Sequence, residues 1–293
     1  MNELIQLSER VYYIDSPTKV GIIKASENEV YLIDSGNNKD AGRRLKKLLD
    51  ERGWTLGAIY NTHSHADHIG ANRYLYEKTA CKIYATEPEC GPIRYPMLEP
   101  MIIFGGNPPD ELRHRFLLAD PSPAEILTED KLPEGWEMIP LGGHAFGMVG
   151  FRVDGFIFLA DALCSPETLA KYSITYLTDV ESYLQTLEKI KEYKGQTCIP
   201  SHAPACDDIS PLAEYNLQKV HEVIELILGL LTEPMTDTEL LCRLFDAYSL
   251  TPTYEQYFLV GSTMRSYLTY LKKTEQVECA IEGGRLLWKK TDL

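Results

Sequence analysis

Three histidines and one aspartate fall within six residues of this 293-residue chain, as His63, His65, Asp67 and His68. Neutral imidazole and carboxylate groups are both ligands for zinc and for first-row transition metals. The whole chain contains only seven histidines. Three of them in one short segment therefore indicate a metal site rather than a polar loop that happens to contain histidine.

The elements around this segment decide how its side chains are presented. The apolar residues 58–60 precede it and predict a strand, and a helix is expected to open near Asp67. His63 and His65 would then lie in the loop after the strand, while Asp67 and His68 would project from the first helical turn. Four ligands placed in this way do not converge easily on one ion, so the spacing favours two adjacent metals.

The pattern His-x-His-x-Asp-His at residues 63–68 resembles the signature of the metallo-β-lactamase superfamily, whose binuclear hydrolases include glyoxalase II, lactonases, alkylsulfatases and certain ribonucleases. Gly143-His144, Asp161 and Ser201-His202 each follow an apolar stretch at about the separation seen in that family. The resemblance covers roughly residues 1–210, with the motifs in the family's order.

The resemblance implies a metal-binding role for seven side chains. Their expected distribution is His63, His65 and His144 on a first metal, Asp67, His68 and His202 on a second metal, and Asp161 between the two. Two Zn²⁺ ions are expected, although Fe and Mn accept similar ligands. Asp67 is also expected to be catalytic, because it can orient the hydroxide that two adjacent cations generate at neutral pH.

The third motif departs from the family pattern. Many relatives read Gly-His-Thr-Pro-Gly-His, whereas residues 143–148 of this chain read Gly-His-Ala-Phe-Gly-Met. The ligand His144 is kept, but the hydroxyl, the proline and the second histidine are lost. The support of His144 by its neighbours is therefore left open, and Phe146 and Met148 are expected to line a more apolar pocket.

Short β-branched and aromatic runs alternate with helical patterns along the first part of the chain. Residues 11–14 and 30–33 predict strands, and leucines at helical spacing predict a helix over residues 41–49. This alternation indicates an α/β fold. Combined with the resemblance, it predicts a four-layer αββα metallo-β-lactamase sandwich as the catalytic domain, residues 1–210. Asp34 ends a strand either as a turn residue or as an outer support for the metal ligands.

Residues 88–130 contain eight prolines, which break up any long regular element. The segment also contains apolar groups, among them Tyr95, Met97 and Met101. Loops of this length often cover a binding site, so we expect a lid-like insertion over the substrate. The alternative is that these apolar groups pack beneath the loop or at the contact of a homodimer.

Residues 211–293 predict a small second domain. Helical patterns at 212–231 and 256–273 precede a hairpin closed by two glycines, an order similar to that of a winged helix. Residues 234–293 contain seven lysines or arginines and eight aspartates or glutamates. This charge balance is unsuited to phosphate contact. We therefore expect a role in packing or dimerisation and no binding of nucleic acid.

The bulk composition limits the remaining classes of function. The formal charge is -14 and the pI is near 5.0, so the protein repels polyphosphates. The seven cysteines include no CxxC pair, which argues against a disulfide framework. The sequence begins without a signal-peptide pattern and contains no apolar run long enough to span a membrane. A cytoplasmic protein acting on a small molecule is the expectation.

The preferred function is that of a binuclear metal-dependent hydrolase acting on a small ester, thioester or lactone, since two cations polarise a carbonyl and supply hydroxide without a protein nucleophile. One alternative is a mononuclear iron enzyme of the persulfide dioxygenase type, which would use His63, His144 and Asp161. Another is a ribonuclease-like phosphodiesterase, which would need a basic groove leading to the metals. The acidic composition counts against the phosphodiesterase.

Overall fold

The computed structural model describes residues 3–291 of the chain. Its strands are, in chain order, β1 Glu3–Gln6, β2 Val11–Asp15, β3 Val20–Lys24, β4 Glu29–Ile33, β5 Thr55–Tyr60, β6 Lys82–Ala85, β7 Glu125–Ile126, β8 Trp136–Pro140, β9 Val149–Val153, β10 Phe156–Cys164, β11 Lys194–His202, β12 Cys206–Asp208, β13 Val277–Glu282 and β14 Arg285–Lys290. Its α-helices are α1 Lys39–Glu51, α2 Ala66–Ile69, α3 Asn72–Thr79, α4 Glu87–Arg94, α5 Leu98–Phe104, α6 Pro166–Tyr172, α7 Val180–Ile190, α8 Ser210–Leu230, α9 Asp237–Ala247 and α10 Tyr254–Lys273. Short 3₁₀ turns lie at Asp110–Leu112 and Glu129–Lys131. The helices among residues 3–291 include none with the length and apolar character needed to cross a bilayer.

Two β-sheets carry most of these strands. The first sheet has the order β1-β2-β3-β4-β5-β6-β7, antiparallel from β1 to β4 and parallel from β4 to β7. The second sheet has the order β12-β11-β10-β9-β8, with β10 parallel to β11 and antiparallel to β9. β10 and β11 are therefore adjacent in the second sheet, and together with β5 of the first sheet they are the strands from which predicted ligands come.

Side-chain alternation along the strands produces three apolar layers. In β2, Val11 and Tyr13 face the core between the two sheets, whereas Tyr12 and Ile14 face the opposite side. On that opposite side the first sheet packs against α1 and α3, and the second sheet packs against α7 and α8 on its own outer face. The four-layer αββα arrangement predicted from the sequence is therefore confirmed.

The helix predicted over residues 41–49 is the middle of α1. It begins early because the Asn38 side chain accepts a hydrogen bond from the Ala41 N–H at 2.9 Å and so caps the helix. Its apolar face places Leu45 and Leu49 against the first sheet. The helix is thus held by one cap and one buried stripe, both visible in the sequence.

The C-terminal helices and hairpin also lie where the sequence predicts them. Gly283 and Gly284 both have positive φ, 55° and 77°, as the tight turn between β13 and β14 requires. Met235 pairs with Trp288 next to the hairpin, which completes a winged-helix-like arrangement. The apolar core on the outer face of the second sheet continues without a break into α9 and α10. The boundary between residues 210 and 211 stays a prediction.

The segment 88–130 folds into α4, α5, a 3₁₀ turn and β7. Ile103, Leu112 and Leu117 form a small apolar cluster with Phe258 and Leu259 of α10. The segment is therefore attached to the C-terminal helices on one side. Its role as a cover for the substrate stays a prediction.

The packing of the two sheets can be tested at Phe151, which is 0% exposed and contacts the rings of Tyr60 and Trp136. Phe151→Ala should lower the free energy of unfolding by about 3–5 kcal/mol, because it removes apolar contacts and leaves a cavity. Urea unfolding of the purified protein measures this change. Phe116→Ala is the control, since Phe116 is 67% exposed and its loss should change the same quantity by less than about 0.5 kcal/mol. Equal effects would contradict the arrangement of the core.

Candidate metal centre

The candidate ligands come from strands and loops of both sheets. His63 and His65 lie in the loop after β5, and Asp67 and His68 lie on the short helix α2, as predicted. His202 is the last residue of β11. The remaining two candidates, His144 and Asp161, reach the same place from the loop between β8 and β9 and from within β10.

The position of Asp161 differs from the prediction. The apolar run 156–160 predicts a strand that ends at Asp161, whereas β10 continues to Cys164. The strand is irregular at this point, because Ala160 has a positive φ of 48° and the pairing with β11 shifts register there. This bend directs Asp161 toward the histidines from within the strand.

Four of the candidates form a group that we call the three-histidine cluster: His63, His65, His144 and Asp161. His65 Nδ1 lies 3.0 Å from His63 Nε2 and 2.9 Å from His144 Nε2. Asp161 Oδ2 lies 3.9 Å from His63 Nε2 and 3.5 Å from His144 Nε2. One potential ligand atom from each residue therefore points into a single space.

A second group, the two-histidine cluster, contains Asp67, His68, Asp161 and His202. His68 Nε2 lies 2.9 Å from Asp161 Oδ1, and His202 Nε2 lies 3.1 Å from Asp161 Oδ2. Asp67 Oδ2 lies 3.3 Å from His202 Nε2. Asp161 belongs to both clusters, with one carboxylate oxygen near each histidine of this group.

The outer nitrogens of the imidazoles fix which nitrogen carries the proton. Nδ1 of His144 donates to the Tyr176 carbonyl at 2.9 Å, and Nδ1 of His202 donates to the Pro17 carbonyl at 2.7 Å. A carbonyl can only accept, so in the neutral rings the lone pair lies on Nε2 and faces the cluster. Each histidine thus offers a ligand atom inward because its other nitrogen is held from outside.

Asp34 holds two further rings in the same way. Its Oδ2 lies 2.7 Å from His68 Nδ1 and accepts a hydrogen bond from Thr62 Oγ1 at 2.8 Å. Because Thr62 Oγ1 gives its own proton to Asp34, it accepts from His63 Nδ1 at 3.0 Å. The sequence leaves two roles open for Asp34, a turn residue or an outer support for the metal ligands. Its contact with His68 fits the second role.

This arrangement fits bound cations. His68 Nε2 and Asp161 Oδ1 are buried and make no hydrogen bond of acceptable geometry with any described residue, although they lie 2.9 Å apart. Burial lowers the pKa of His68, but the Asp161, Asp67 and Asp34 carboxylates outweigh this effect and raise it well above its usual value. In the metal-free protein a proton on His68 therefore supplies the positive charge that a bound cation would supply in its place. Imidazole nitrogen and carboxylate oxygen are suitable ligands for a divalent ion, and the two clusters could hold one such ion each.

The two clusters differ in their affinity for protons. Burial lowers the pKa of His144, and the neighbouring His65 lowers it further, to about 4. Burial also lowers the pKa of His202, but the Asp161 and Asp67 carboxylates outweigh this effect and raise it to about 10. The pKa values of His63 and His65 are lowered by burial as well, so the three imidazoles of this cluster are unprotonated at pH 7, whereas a metal entering the two-histidine cluster would displace a proton.

Three other side chains support the candidate ligands without a signal in the sequence. Thr18 Oγ1 donates to Asp67 Oδ2 at 2.8 Å from the turn between β2 and β3. Glu89 on α4 accepts hydrogen bonds near His63 and His144, and Glu99 Oε1 on α5 lies 3.4 Å from His65 Nε2. No local pattern marks any of the three, since each contacts residues far away in the sequence.

Backbone groups support His144 in the altered third motif, residues 143–148. His144 is supported by the Tyr176 carbonyl, and the Gly143 carbonyl accepts hydrogen bonds from residues 178 and 179. Phe146 is exposed, whereas Met148 is buried in the core on the outer face of the second sheet. The prediction that Met148 lines the pocket is therefore wrong, because the chain has already turned back into β9 at that residue.

The burial of Glu99 predicts a pH-dependent effect on the stability of the metal-free protein. Burial raises the pKa of Glu99, and the nearby Glu89 raises it further, from 4.5 to about 7. Below the pKa of the unfolded chain, 4.5, the carboxyl is protonated in both the folded and the unfolded states. Above the folded-state pKa of about 7 it is ionised in both, and burying the charge then lowers the free energy of unfolding by an amount on the order of 3 kcal/mol.

Glu99→Gln should therefore stabilise the metal-free protein at about pH 8, and this gain should shrink as the pH falls toward about 5. Urea unfolding in the presence of a chelator measures the difference. Glu87→Gln is the control, because Glu87 is exposed on α4 and should show no such trend. A gain that grows toward low pH would contradict the assigned direction of the pKa shift.

Comparisons with known proteins agree with this geometry. The family model described as "Metallo-beta-lactamase superfamily" matches residues 14–202. Among curated proteins, the chain is 23% identical over 175 residues to a hydroxyacylglutathione hydrolase of Idiomarina loihiensis, which covers 58% of this chain and 54% of the relative. It is 51% identical over 37 residues to one of Methylococcus capsulatus, over 13% of this chain and 14% of the relative. The chain thus spans about half the length, or less, of these curated relatives.

Solved structures show the same fold. A beta-lactamase domain protein from Burkholderia ambifaria has a TM-score of 0.77 at 15% identity and covers 99% of this chain and 94% of its own. A metallo-beta-lactamase family protein from Thermus thermophilus has a TM-score of 0.73 at 19% identity and covers 98% of this chain and 100% of its own. The likeness includes the C-terminal helices. With a family model that matches well over half of its length, the chain belongs to the metallo-beta-lactamase superfamily.

Proposed function

We propose that this protein is a binuclear metal-dependent hydrolase that acts on a small ester, thioester or lactone. The observation that carries the proposal is the pair of ligand clusters that share Asp161, with inward-facing nitrogens held in place by outer hydrogen bonds. Membership of the superfamily supports hydrolysis. The curated relatives are named as hydroxyacylglutathione hydrolases, which supports a thioester.

The proposed ligand assignment follows the two clusters. One metal is held by His63, His65 and His144, the other by Asp67, His68 and His202, and Asp161 lies between them. Nitrogen donors together with carboxylates favour Zn²⁺, with Fe and Mn as alternatives.

Two divalent cations held in these clusters would supply hydroxide at neutral pH and polarise the substrate carbonyl. Asp67 is the candidate ligand most open to solvent, with 37% of its side chain exposed. Burial would raise the pKa of Asp67, but the facing His68 and His202 imidazoles hold it below its usual range. Asp67 therefore stays ionised at working pH, and Thr18 fixes its orientation. As an ionised carboxylate, Asp67 would accept a hydrogen bond from the attacking water or hydroxide and so orient it.

A cavity of about 810 Å³ opens beside His202 and gives room for a small substrate. It lies between the turn after β2 and helix α6, and Lys19 and Tyr172 are among the residues that line it. This size is in the range usual for small-molecule sites.

The basic side chains of the C-terminal region support a small substrate over RNA. Arg265 pairs with Asp237 at 3.1 Å, and Arg285 pairs with Glu239 at 2.6 Å. Lys273 pairs with Glu181 of α7. Cations already neutralised by acidic neighbours are poor phosphate contacts.

Metal content is the first test of the proposal. Elemental analysis of protein purified without added metal or chelator should give two zinc or manganese ions per chain. That result would justify a screen of thioesters, lactones and esters. One iron per chain would contradict the binuclear hydrolase and would direct the assay to oxygen consumption with persulfides.

The role of Asp67 gives a second prediction. Asp67→Asn should lower kcat on the best substrate of that screen by about 10²-fold, the size of effect expected when the reacting water loses its alignment. Steady-state kinetics measures the change, with metal content determined on the same sample. Asp40→Asn is the matched control, since Asp40 is exposed on α1 and pairs with Arg43 of the same helix. An unchanged kcat at full metal content would remove Asp67 from the catalytic role.

A further inference from the structure

Glu89 connects the two loops that carry the three-histidine cluster. It is 2% exposed, and both of its carboxylate oxygens accept hydrogen bonds from backbone N–H groups. Oε2 accepts from Ser64 at 2.8 Å, and Oε1 accepts from Gly147 at 2.7 Å. Ser64 lies between two candidate ligands, and Gly147 lies three residues after the third. One buried carboxylate therefore ties the loop of His63 and His65 to the loop of His144.

The contact at Gly147 is too close for any other residue. Thr86 Oγ1 donates to the Gly147 carbonyl at 2.8 Å, which ties α4 to the loop a second time. A Cβ at position 147 would lie only 2.5 Å from Thr86 Oγ1. The glycine kept in the altered third motif is thus explained by the approach of α4.

Glu99 acts on the same cluster from α5. Its carboxylate is 14% exposed and its Oε1 lies 3.4 Å from His65 Nε2, the nitrogen that faces away from the cluster. A carboxylate outside an imidazole ligand orients the ring and makes its inner nitrogen more basic. Phe104, at the end of α5, packs against Phe258 of α10 at 5.0 Å between ring centroids, so the helix that carries Glu99 is held from the C-terminal side.

We propose that Glu89 and Glu99 are positioning residues for the metal of the three-histidine cluster. Glu89 acts through the backbone of the two ligand loops, and Glu99 acts through the ring of His65. The segment 88–130 is then part of the framework of the metal centre, whatever cover it provides for the substrate. This inference rests on the metal centre proposed above.

Cobalt binding tests the inference without an activity assay. Each variant is made in a His202→Ala background, which weakens the two-histidine cluster so that titration with Co²⁺ reports the three-histidine cluster. Glu89→Gln and Glu99→Gln should each weaken Co²⁺ binding by about 10–100-fold and change the visible d–d spectrum. Glu87→Gln removes the same charge from an exposed site on α4 and should match the background protein.

The possible outcomes separate the two proposals. Cobalt affinity and spectra that match Glu87→Gln in both variants would overturn the inference. A loss of unfolding stability in the metal-free Glu89→Gln protein, with cobalt affinity unchanged, would assign Glu89 to folding alone and would also overturn its part. If Glu89→Gln does not fold, Glu99→Gln still decides the question. A wild-type protein that binds no cobalt would overturn the metal centre itself.

Discussion

The convergence of imidazole lone pairs with carboxylate oxygens in one buried space is the constraint on which the rest of this structure depends. Such groups repel one another unless positive charge lies among them, so each ring is held from outside, and a proton or a bound cation would offset the repulsion inside. Carbonyls hold two of the rings, Asp34 holds two more directly or through Thr62, and Glu99 faces the fifth. The fold therefore holds in place the carbonyl, hydroxyl and carboxylate groups that contact the outer nitrogens of the histidines.

The two packed sheets provide that rigidity. Strands of both sheets bring ligands from distant parts of the chain to one place, and the core around Phe151 packs the two sheets against each other. The strand β10 bends at Ala160 where it brings Asp161 to the other candidate ligands. A left-handed conformation at a non-glycine residue is strained, and it is tolerated here because well-packed strands on either side fix it.

The sequence was sufficient where the relevant residues are neighbours. The strand before His63 and the helix at Asp67 follow from local periodicity, and the four-layer fold follows from the family resemblance that the order of motifs implies. The sequence was not sufficient where contacts join distant segments. Glu89 reaches Ser64 and Gly147 across 25 and 58 residues, and neither it nor Thr18 differs locally from an ordinary turn or helix residue. The bend at Ala160 likewise results from tertiary packing, because an alanine in the sequence does not predict a left-handed backbone conformation.

The C-terminal helices contribute to the site through packing and not through charge. Phe258 of α10 supports Phe104 of α5, and α5 presents Glu99 to His65. The Ser266 hydroxyl of α10 also donates to the Thr178 carbonyl, close to the loop that carries His144. Buried carboxylates around the two clusters disfavour the metal-free state and bound cations would offset them, so metal binding would favour the same arrangement that the docked C-terminal helices support. The arginines of this winged-helix-like region, Arg243, Arg265 and Arg285, already pair with carboxylates, so the contact of these helices with the site is one of packing.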